Sequence, residues 1–503
     1  MNRLIRITGI AIIAIAVLFT SNNTFAAPSV GVSGNDAFVS LDNITDVSAH
    51  LQFQIADLQH QLINVDGEQF DFYELEREAP LVGPVGWPSL PSLVRYLLIP
   101  PQSGVELKIN GMEYRIEDGK NPYPLQFEDV TEDQQNPSLR IQSRSTEELF
   151  VDNASLTHKG FWPPEVVELG RPAILRGHRI LPIHINPLRY DPSTGEMQVV
   201  TSLDIELDFT SNLNRVNIVE NPDVSRTSRS AREIVNRMVM NPNRDAYDML
   251  NMRDGSIVYV IGPWNDVEAA LQPLIEWRRQ MGWDARIMRI QQINNSQTIK
   301  NALRDAYNDW DNPPEHVILC ADTDEQWAIP YYNIANQGYP YETDHKYVEL
   351  EGDDILPDAT IGRFIFPRIQ TLQDIVNKII TYEKNPYLGD DEDDRGWQLR
   401  AAVVASDDRA GMSSIDMARS VKFMLLQSGY TNVPEFLWTP QDPRPSARNF
   451  LVTNIDRGLT FWTYRGHLGM SGYSHADISN QRNGRMLPLA LMLTCNTGDF
   501  AEA

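Results

Sequence analysis

Cysteine is almost absent from this chain: 503 residues contain two, Cys320 and Cys495. That excludes a scaffold stapled by several disulfides and leaves at most one bridge. Each cysteine follows a short apolar run, a setting in which a free thiol is equally at home. Positive charge is also scarce. Lys and Arg number 43 against 68 Asp and Glu, for a formal net charge of −25. Nucleic acid is thereby disfavoured as a partner, because phosphate binding needs clustered cations. No His/Cys group has zinc-ligand spacing and no His-Glu-x-x-His occurs, which argues against a metallopeptidase. The nearest approach to a serine-hydrolase elbow, Gly469-Met470-Ser471-Gly472-Tyr473, carries Tyr473 where glycine is required. Beyond the amino-terminal segment no stretch is long and apolar enough to span a bilayer.

Residues 1–26 read as a secretory signal. Arg3 and Arg6 supply the positive start, Ile10 to Phe19 the apolar core, and the small residues before Ala27 the cleavage site. The apolar core is too short for a membrane anchor, so the mature chain is expected outside the cell or on its surface, without a membrane span. The length implies two or three domains, and an apolar content of 42% suffices for real cores.

Residues 27–211 are expected to be β-rich. Leu203-Asp204-Ile205-Glu206-Leu207-Asp208-Phe209 alternates strictly, as a half-buried strand does. Asp191-Pro192-Ser193-Thr194-Gly195 forms a turn between strand-like runs. Residues 212–251 change character. Their apolar pattern is weak apart from a short helical stretch near Ile234, and arginine is dense (Arg226, Arg229, Arg232, Arg237, Arg244). They read as an exposed linker open to proteolysis. From residue 252 onward strands and helices alternate: Ile257 to Ile261, a helix from Asn265, Ala285 to Ile290, a helix to Trp310, Val317 to Asp322, and so on to Leu493. Such alternation predicts an α/β domain with a mostly parallel sheet covered by helices. The end at Ala503, just after Cys495, reads as an incomplete domain.

The candidate chemistry lies near that end. Leu459-Thr460-Phe461-Trp462-Thr463-Tyr464 runs into Arg465-Gly466-His467, and Leu489-Ala490-Leu491-Met492-Leu493-Thr494 into Cys495-Asn496-Thr497-Gly498. If the two strands are parallel neighbours, His467 and Cys495 emerge at one carboxyl edge, where open α/β sheets place ligands. A thiol facing an imidazole is the minimum for a cysteine nucleophile with its general base; the plainer reading is an inert thiol and a loop histidine. Asp407 and Asp408 follow the strand Ala401 to Ala405 and offer a carboxylate to orient the imidazole, or else cap the next helix. Asp358 is a weaker candidate. The backbone near Gly466 and Cys495 can supply an oxyanion site. Cys320, at the end of a buried run, is expected to be structural. The acidic runs Asp390-Asp391-Glu392-Asp393-Asp394 and Glu351-Gly352-Asp353-Asp354 offer oxygens to a structural Ca²⁺, although solvated loops are the plainer reading. No cofactor is required by a thiol–imidazole pair.

The chain resembles the gingipain-type cysteine peptidases, with an amino-terminal propeptide ahead of a caspase-like domain. Tyr464-Arg465-Gly466-His467 resembles their catalytic histidine motif, and Cys495-Asn496-Thr497-Gly498-Asp499-Phe500 their nucleophile motif. Ile257 to Ile290 resembles the opening of their catalytic domain; Gly86 to Pro91 and Pro187 to Pro192 resemble the propeptide. The resemblance implies a secreted endopeptidase made as a zymogen, with His467 and Cys495 as dyad and Asp408 (or Asp407) behind the histidine. Its partners would be protein or peptide substrates and its own propeptide. Arginine-cutting members place an aspartate in the specificity pocket, whereas the matching place here is near Ser413 and Ser414. The competing reading is a catalytically silent surface or binding protein that retains the fold.

Overall fold

A computed structural model describes residues 38–500 except 57, 66, 76–80, 126–128, 131–142, 145–148, 221, 223–226, 243–253, 337–338, 391–394, 407–413, 439–446, 467–472 and 494–499. Among the described residues, beside three two-stranded pairs, Leu58–Val65 with Glu68–Leu75, Leu81–Val82 with Leu90–Pro91, and Asp129–Val130 with Ser143–Arg144, its amino-terminal half holds two larger antiparallel sheets. In the first, β1 (Val39–Ile44) pairs β2 (Ser48–Gln54), which pairs the long β9 (Glu196–Asp208); β4 (Glu106–Glu117) and β8 (Leu188–Asp191) also pair β9. In the second, β7 (His178–Ile185) is flanked by β3 (Leu93–Leu98), β5 (Val167–Leu169) and β6 (Ala173–Leu175). Alternation sends Leu203, Ile205 and Leu207 of β9 inward together with the following Phe209, and all four are buried. They join Leu51 and Phe53 of β2 and Leu93, Leu97, Ile183 and Ile185 of the second sheet in one core. The two sheets therefore face each other across a shared apolar layer.

The β6–β7 connection is a two-residue turn, Arg176-Gly177, with Leu175 paired to His178. Both turn residues have positive φ, 52° and 76°, the mark of a type I′ hairpin. Glycine adopts this freely, whereas arginine does so at a cost of about 1–2 kcal/mol.

Between residues 227 and 242 the arginine-rich stretch does not run as exposed backbone, while Arg226 and Arg244 lie outside the described residues. Ser228 accepts from the Ala231 amide and caps α1 (Arg229–Met238). Val235 and the following Val239 are buried against Leu175 and Ile180. The Met240 amide then donates to Tyr96 O at 2.9 Å. The Asn241 side chain bonds both the N–H and the C=O of Leu98, at 2.8 and 2.9 Å. Weak apolar patterning hid this because α1 needs only one narrow stripe to dock on a sheet. Arg229 and Arg237 are exposed, but Arg232 is buried.

The carboxy-terminal half holds two separate four-stranded parallel sheets, where alternation alone suggested one. The first has the order β11-β10-β12-β13: β10 (Ser256–Ile261) lies between β11 (Asp284–Arg289) and β12 (Pro314–Cys320), and β13 (Thr360–Phe364) is on the far side of β12. Helices α2 (Asn265–Gln280) and α4 (Ile369–Lys384) cover one face, α3 (Ser296–Asp309) the other. The second has the order β15-β14-β16-β17: β14 (Ala401–Ser406) lies between β15 (Glu435–Trp438) and β16 (Phe461–Arg465), and β17 (Leu489–Leu493) forms the edge. Its faces are covered by α5 (Ser414–Gln427) and α6 (Arg448–Asp456).

Candidate functional site

The register of the second sheet fixes where its strands end. Ala405 of β14 is level with Arg465 of β16, and Arg465 with Leu493 of β17. Both pairings are parallel, so the three carboxyl ends leave the sheet at one edge. By position in the chain, Asp407, His467 and Cys495 each stand two residues beyond these level positions, and Asp408 three. Asp407, Asp408, Ser413, His467 and Cys495 themselves lie outside the described residues, as does the signal segment 1–26.

The described residues around the edge are well tied. The Arg465 guanidinium donates from Nη1 to Gly466 O at 3.0 Å and to Leu493 O at 3.2 Å. One side chain thus joins the exits of the two strands, a role not read from the sequence. Thr463 Oγ1 adds a bond to Leu491 O at 3.0 Å. Gly466 is buried beside this junction. Ser414 is buried too, at the first residue of α5 and on the same side of the sheet as the end of β14.

Phe500 is the other residue whose part the sequence did not disclose, although it closes the Cys495 motif. It is buried, with its ring 5.4 Å from the Arg363 guanidinium carbon and 5.9 Å from the Tyr331 ring, edge to face. Arg363 lies in β13, near the carboxyl edge of the first sheet. Asp344 holds it at both ends, Nε at 2.8 Å and Nη2 at 2.6 Å, and Nη1 donates to the carbonyls of Asp322 and Ile329. Phe500 therefore stands near the carboxyl edge of the first sheet.

The secondary candidates fall elsewhere. Asp358 precedes β13 at the amino edge of the first sheet, where its carboxylate accepts from the amides of Leu350, Glu351 and Arg176. The strand it precedes belongs to a different sheet from the strand that ends before His467. Burial raises it to about 7. The acidic run at 351–354 remains accessible, with the Asp353 side chain 91% exposed, yet Asp353 and Asp354 contact Arg171, Ile174 and Asn217 of the amino-terminal half. Most of the second run, 391–394, lies outside the described residues. Among the described residues no group of three or more His, Cys, Asp or Glu is placed to hold a metal ion. Cys320 is a free, fully buried thiol, and burial pushes it well above its ordinary range.

Known proteins identify the lineage. The model of peptidase family C25 matches residues 253–503, and that of the C25 propeptide matches 33–226. The chain belongs to peptidase family C25. Gingipain R2 of Porphyromonas gingivalis is 24% identical over 70% of this chain and 47% of its own length, and gingipain R1 is 23% identical over 82% and 40%. Lys-gingipain from the same species is 21% identical over 76% of this chain and 21% of its own length. The chain thus spans less than half the length of these relatives. Among solved structures, the Arg-specific cysteine proteinase gingipain R is 23% identical, with a TM-score of 0.42 over 49% of this chain and 56% of that one. The complex of the pro- and mature domains of RgpB from P. gingivalis is 19% identical, with a TM-score of 0.33 over 42% and 100%.

Proposed function

We propose that this C25 chain is a secreted cysteine endopeptidase, made as a zymogen, that cleaves peptide bonds with His467 and Cys495. The observation that carries the reading is the level parallel register of Arg465 and Leu493, which supports one shared edge for the two loops. The imidazole of His467 takes the Cys495 proton. The thiolate attacks the scissile carbonyl carbon, and the C=O pair moves to oxygen, where backbone N–H groups near Gly466 and Cys495 stabilise it. Collapse of the intermediate breaks the C–N bond, and protonated His467 donates its proton to the leaving amine. Water, deprotonated by His467, then attacks the thioester carbonyl and releases the acid and the thiol. Asp408, or Asp407, keeps the imidazole in the tautomer this needs. No cofactor enters the cycle.

Residues 27–211 serve as the propeptide, and residues 252–503 carry the catalysis. In the specificity pocket Ser413 and Ser414 stand where arginine-cutting relatives have an aspartate, so a preference for arginine is not expected and another protease makes the activating cut. The competing reading, a silent binding protein, predicts an unreactive Cys495. Iodoacetamide treatment of the trypsin-activated chain, followed by peptide mass mapping, separates the two. Rapid alkylation of Cys495 with parallel loss of peptide hydrolysis supports the peptidase. Alkylation no faster than that of a free cysteine, with no hydrolysis, refutes it.

A further inference from the structure

The buried arginine at the β6–β7 turn has no place in that reaction. Arg176 comes from the amino-terminal half, yet its side chain is 6% exposed and faces Glu315 of β12, itself 4% exposed, with Nη1 3.6 Å from Oε1. The Arg176 amide reaches Asp358 at 3.3 Å. Glu315 is cradled by its own half: its other oxygen accepts from the Gly255 amide at 2.7 Å. A Cβ at Gly255 would lie 2.3 Å from the Glu315 side chain, so only glycine permits the approach. Asp354 accepts from the Ile174 amide at 2.9 Å and from the Asn217 side chain at 3.2 Å, and the Asp353 amide donates to Asn217 at 2.8 Å. Gly352 completes the fit; a Cβ there would press on Asp354 and on Ile174.

Two features mark a built site rather than a chance contact. Arg176 occupies a left-handed turn position that favours Asn or Gly, and such backbone strain persists where the surroundings over-determine it. The guanidinium and carboxylate are both withdrawn from water, where an unpaired charge is not tolerated. The location also matters. Glu315 begins β12, Asp358 precedes β13 and Gly255 precedes β10, so all three lie at the amino edge of the first sheet, the opposite end of its strands from the Arg363 platform.

We infer that the peptidase half carries a docking site for an arginine at the amino edge of its first sheet, where Glu315 faces the guanidinium and Asp358 takes the backbone amide, and that Arg176 on its tight turn fills this site and keeps the propeptide bound after the chain between them is cut. The ligand class is an arginine presented on a β-turn. The inference rests on the propeptide reading above, but its test does not depend on catalysis. A Cys495→Ala chain with a site-specific protease sequence inserted between Pro242 and Asn243 is cut, and the two fragments are followed by gel filtration and by their dissociation constant. The parent fragments are expected to co-elute at micromolar concentration. Arg176→Ala and Glu315→Gln fragments should bind at least about 30-fold more weakly, and Arg176→Lys should fall between, since a lysine keeps the charge on a smaller and more flexible head. Thermal melts of the uncut variants check folding; if Arg176→Ala unfolds, Glu315→Gln, which keeps the shape, decides. Parent fragments that separate on cutting, or variant fragments that co-elute with parental affinity, overturn the inference.

Discussion

The two parallel sheets are made of the same strand–helix units and their central strands, β10 and β14, are buried alike, but they differ in what their strand ends hold. Every residue of β10 is buried in the first sheet, with helices packed on both faces. In the second, β17 is an edge strand whose residues are half-buried and whose Ala490 is exposed. A doubly covered sheet has little freedom at its strand ends, which suits it to hold rigid partners: Arg176 at its amino edge and Phe500 near its carboxyl edge. The second sheet, also covered by helices on both faces, is the one whose level strand ends precede the candidate nucleophile and base. The first works as a scaffold and the second as a platform for loops.

The sharpest break between them is expected in activity. Cys495→Ala and His467→Ala should each lower peptide hydrolysis by about 10³-fold or more, while the melting temperature of the zymogen stays at the parent value. Substantial residual hydrolysis in Cys495→Ala would remove the second sheet from the chemistry. Stability should show the reverse pattern. Leu319→Ala opens a hole at a fully buried position of β12 and should cost about 2–5 kcal/mol. Leu491→Ala, at a half-buried position of β17, should cost well under half as much, because less area returns to water. Equal losses in urea titrations would show that the edge strand β17 is packed as tightly as the central strand β12.

Phe500 tests whether the two sheets are linked. Phe500→Leu keeps an apolar group against Arg363 but loses the ring contacts, so the loop carrying Cys495 should be held less precisely. About a tenfold fall in kcat is expected, with KM little changed and slower alkylation of Cys495, since small misplacements at a reacting centre are costly. An unchanged kcat would make Phe500 mere packing. Cys320→Ala should be milder still: the thiol is buried and belongs to a different sheet from the strand that ends before Cys495, so most activity should remain and the melting temperature should fall by only a few degrees. A loss matching that of Cys495→Ala would reverse the assignment of the two cysteines.

Much of this organisation is legible in the sequence because it is local. Strict alternation at Leu203 to Phe209 and the strand–helix rhythm from Ile257 are short-range patterns, and each has its counterpart in the fold. The split into two sheets is not local, since period and propensity do not say which strands pair. β15 and α6 escaped notice because both are short, and β15 is preceded by the turn at Ser428-Gly429. Arg176 was invisible for a similar reason. A tight turn before His178 is readable from Arg176-Gly177, but burial of the arginine depends on Glu315 and Asp358, which come from another domain. Arginines between residues 226 and 244 looked like an exposed linker because charge was counted without the apolar stripe of Val235 and Val239. For the site, the run-and-loop pattern identified the strands that precede His467 and Cys495, whereas the Arg465 and Phe500 contacts depend on tertiary approach.

The smallest expected effect concerns pH, and it isolates the amino edge of the first sheet. Burial is the main cause that lowers His316 to about 4, with Arg176 and Arg278 adding to it, and burial raises Asp358 to about 7. His316 is a base whose folded pKa is depressed. The unfolded chain takes its proton first, near 6.5, so this contribution to stability is present above that pH and is lost as pH falls toward 4. Asp358 is an acid whose folded pKa is raised. Its contribution is present below about 4 and is lost as pH rises through 7. Between pH 4 and 6.5 the two terms oppose one another, and the parent chain should show a muted dependence from this edge. Substitution separates them. The melting temperature of Asp358→Asn minus that of the parent should rise with pH across the window, and the same difference for His316→Gln should fall. Thermal melts of Cys495→Ala chains at pH 4.5, 5.5 and 6.5 measure both slopes. Two slopes of the same sign would mean that Asp358 and His316 do not share one buried edge between the halves, and the contrast between the anchored scaffold and the loop-bearing sheet would lose its electrostatic basis.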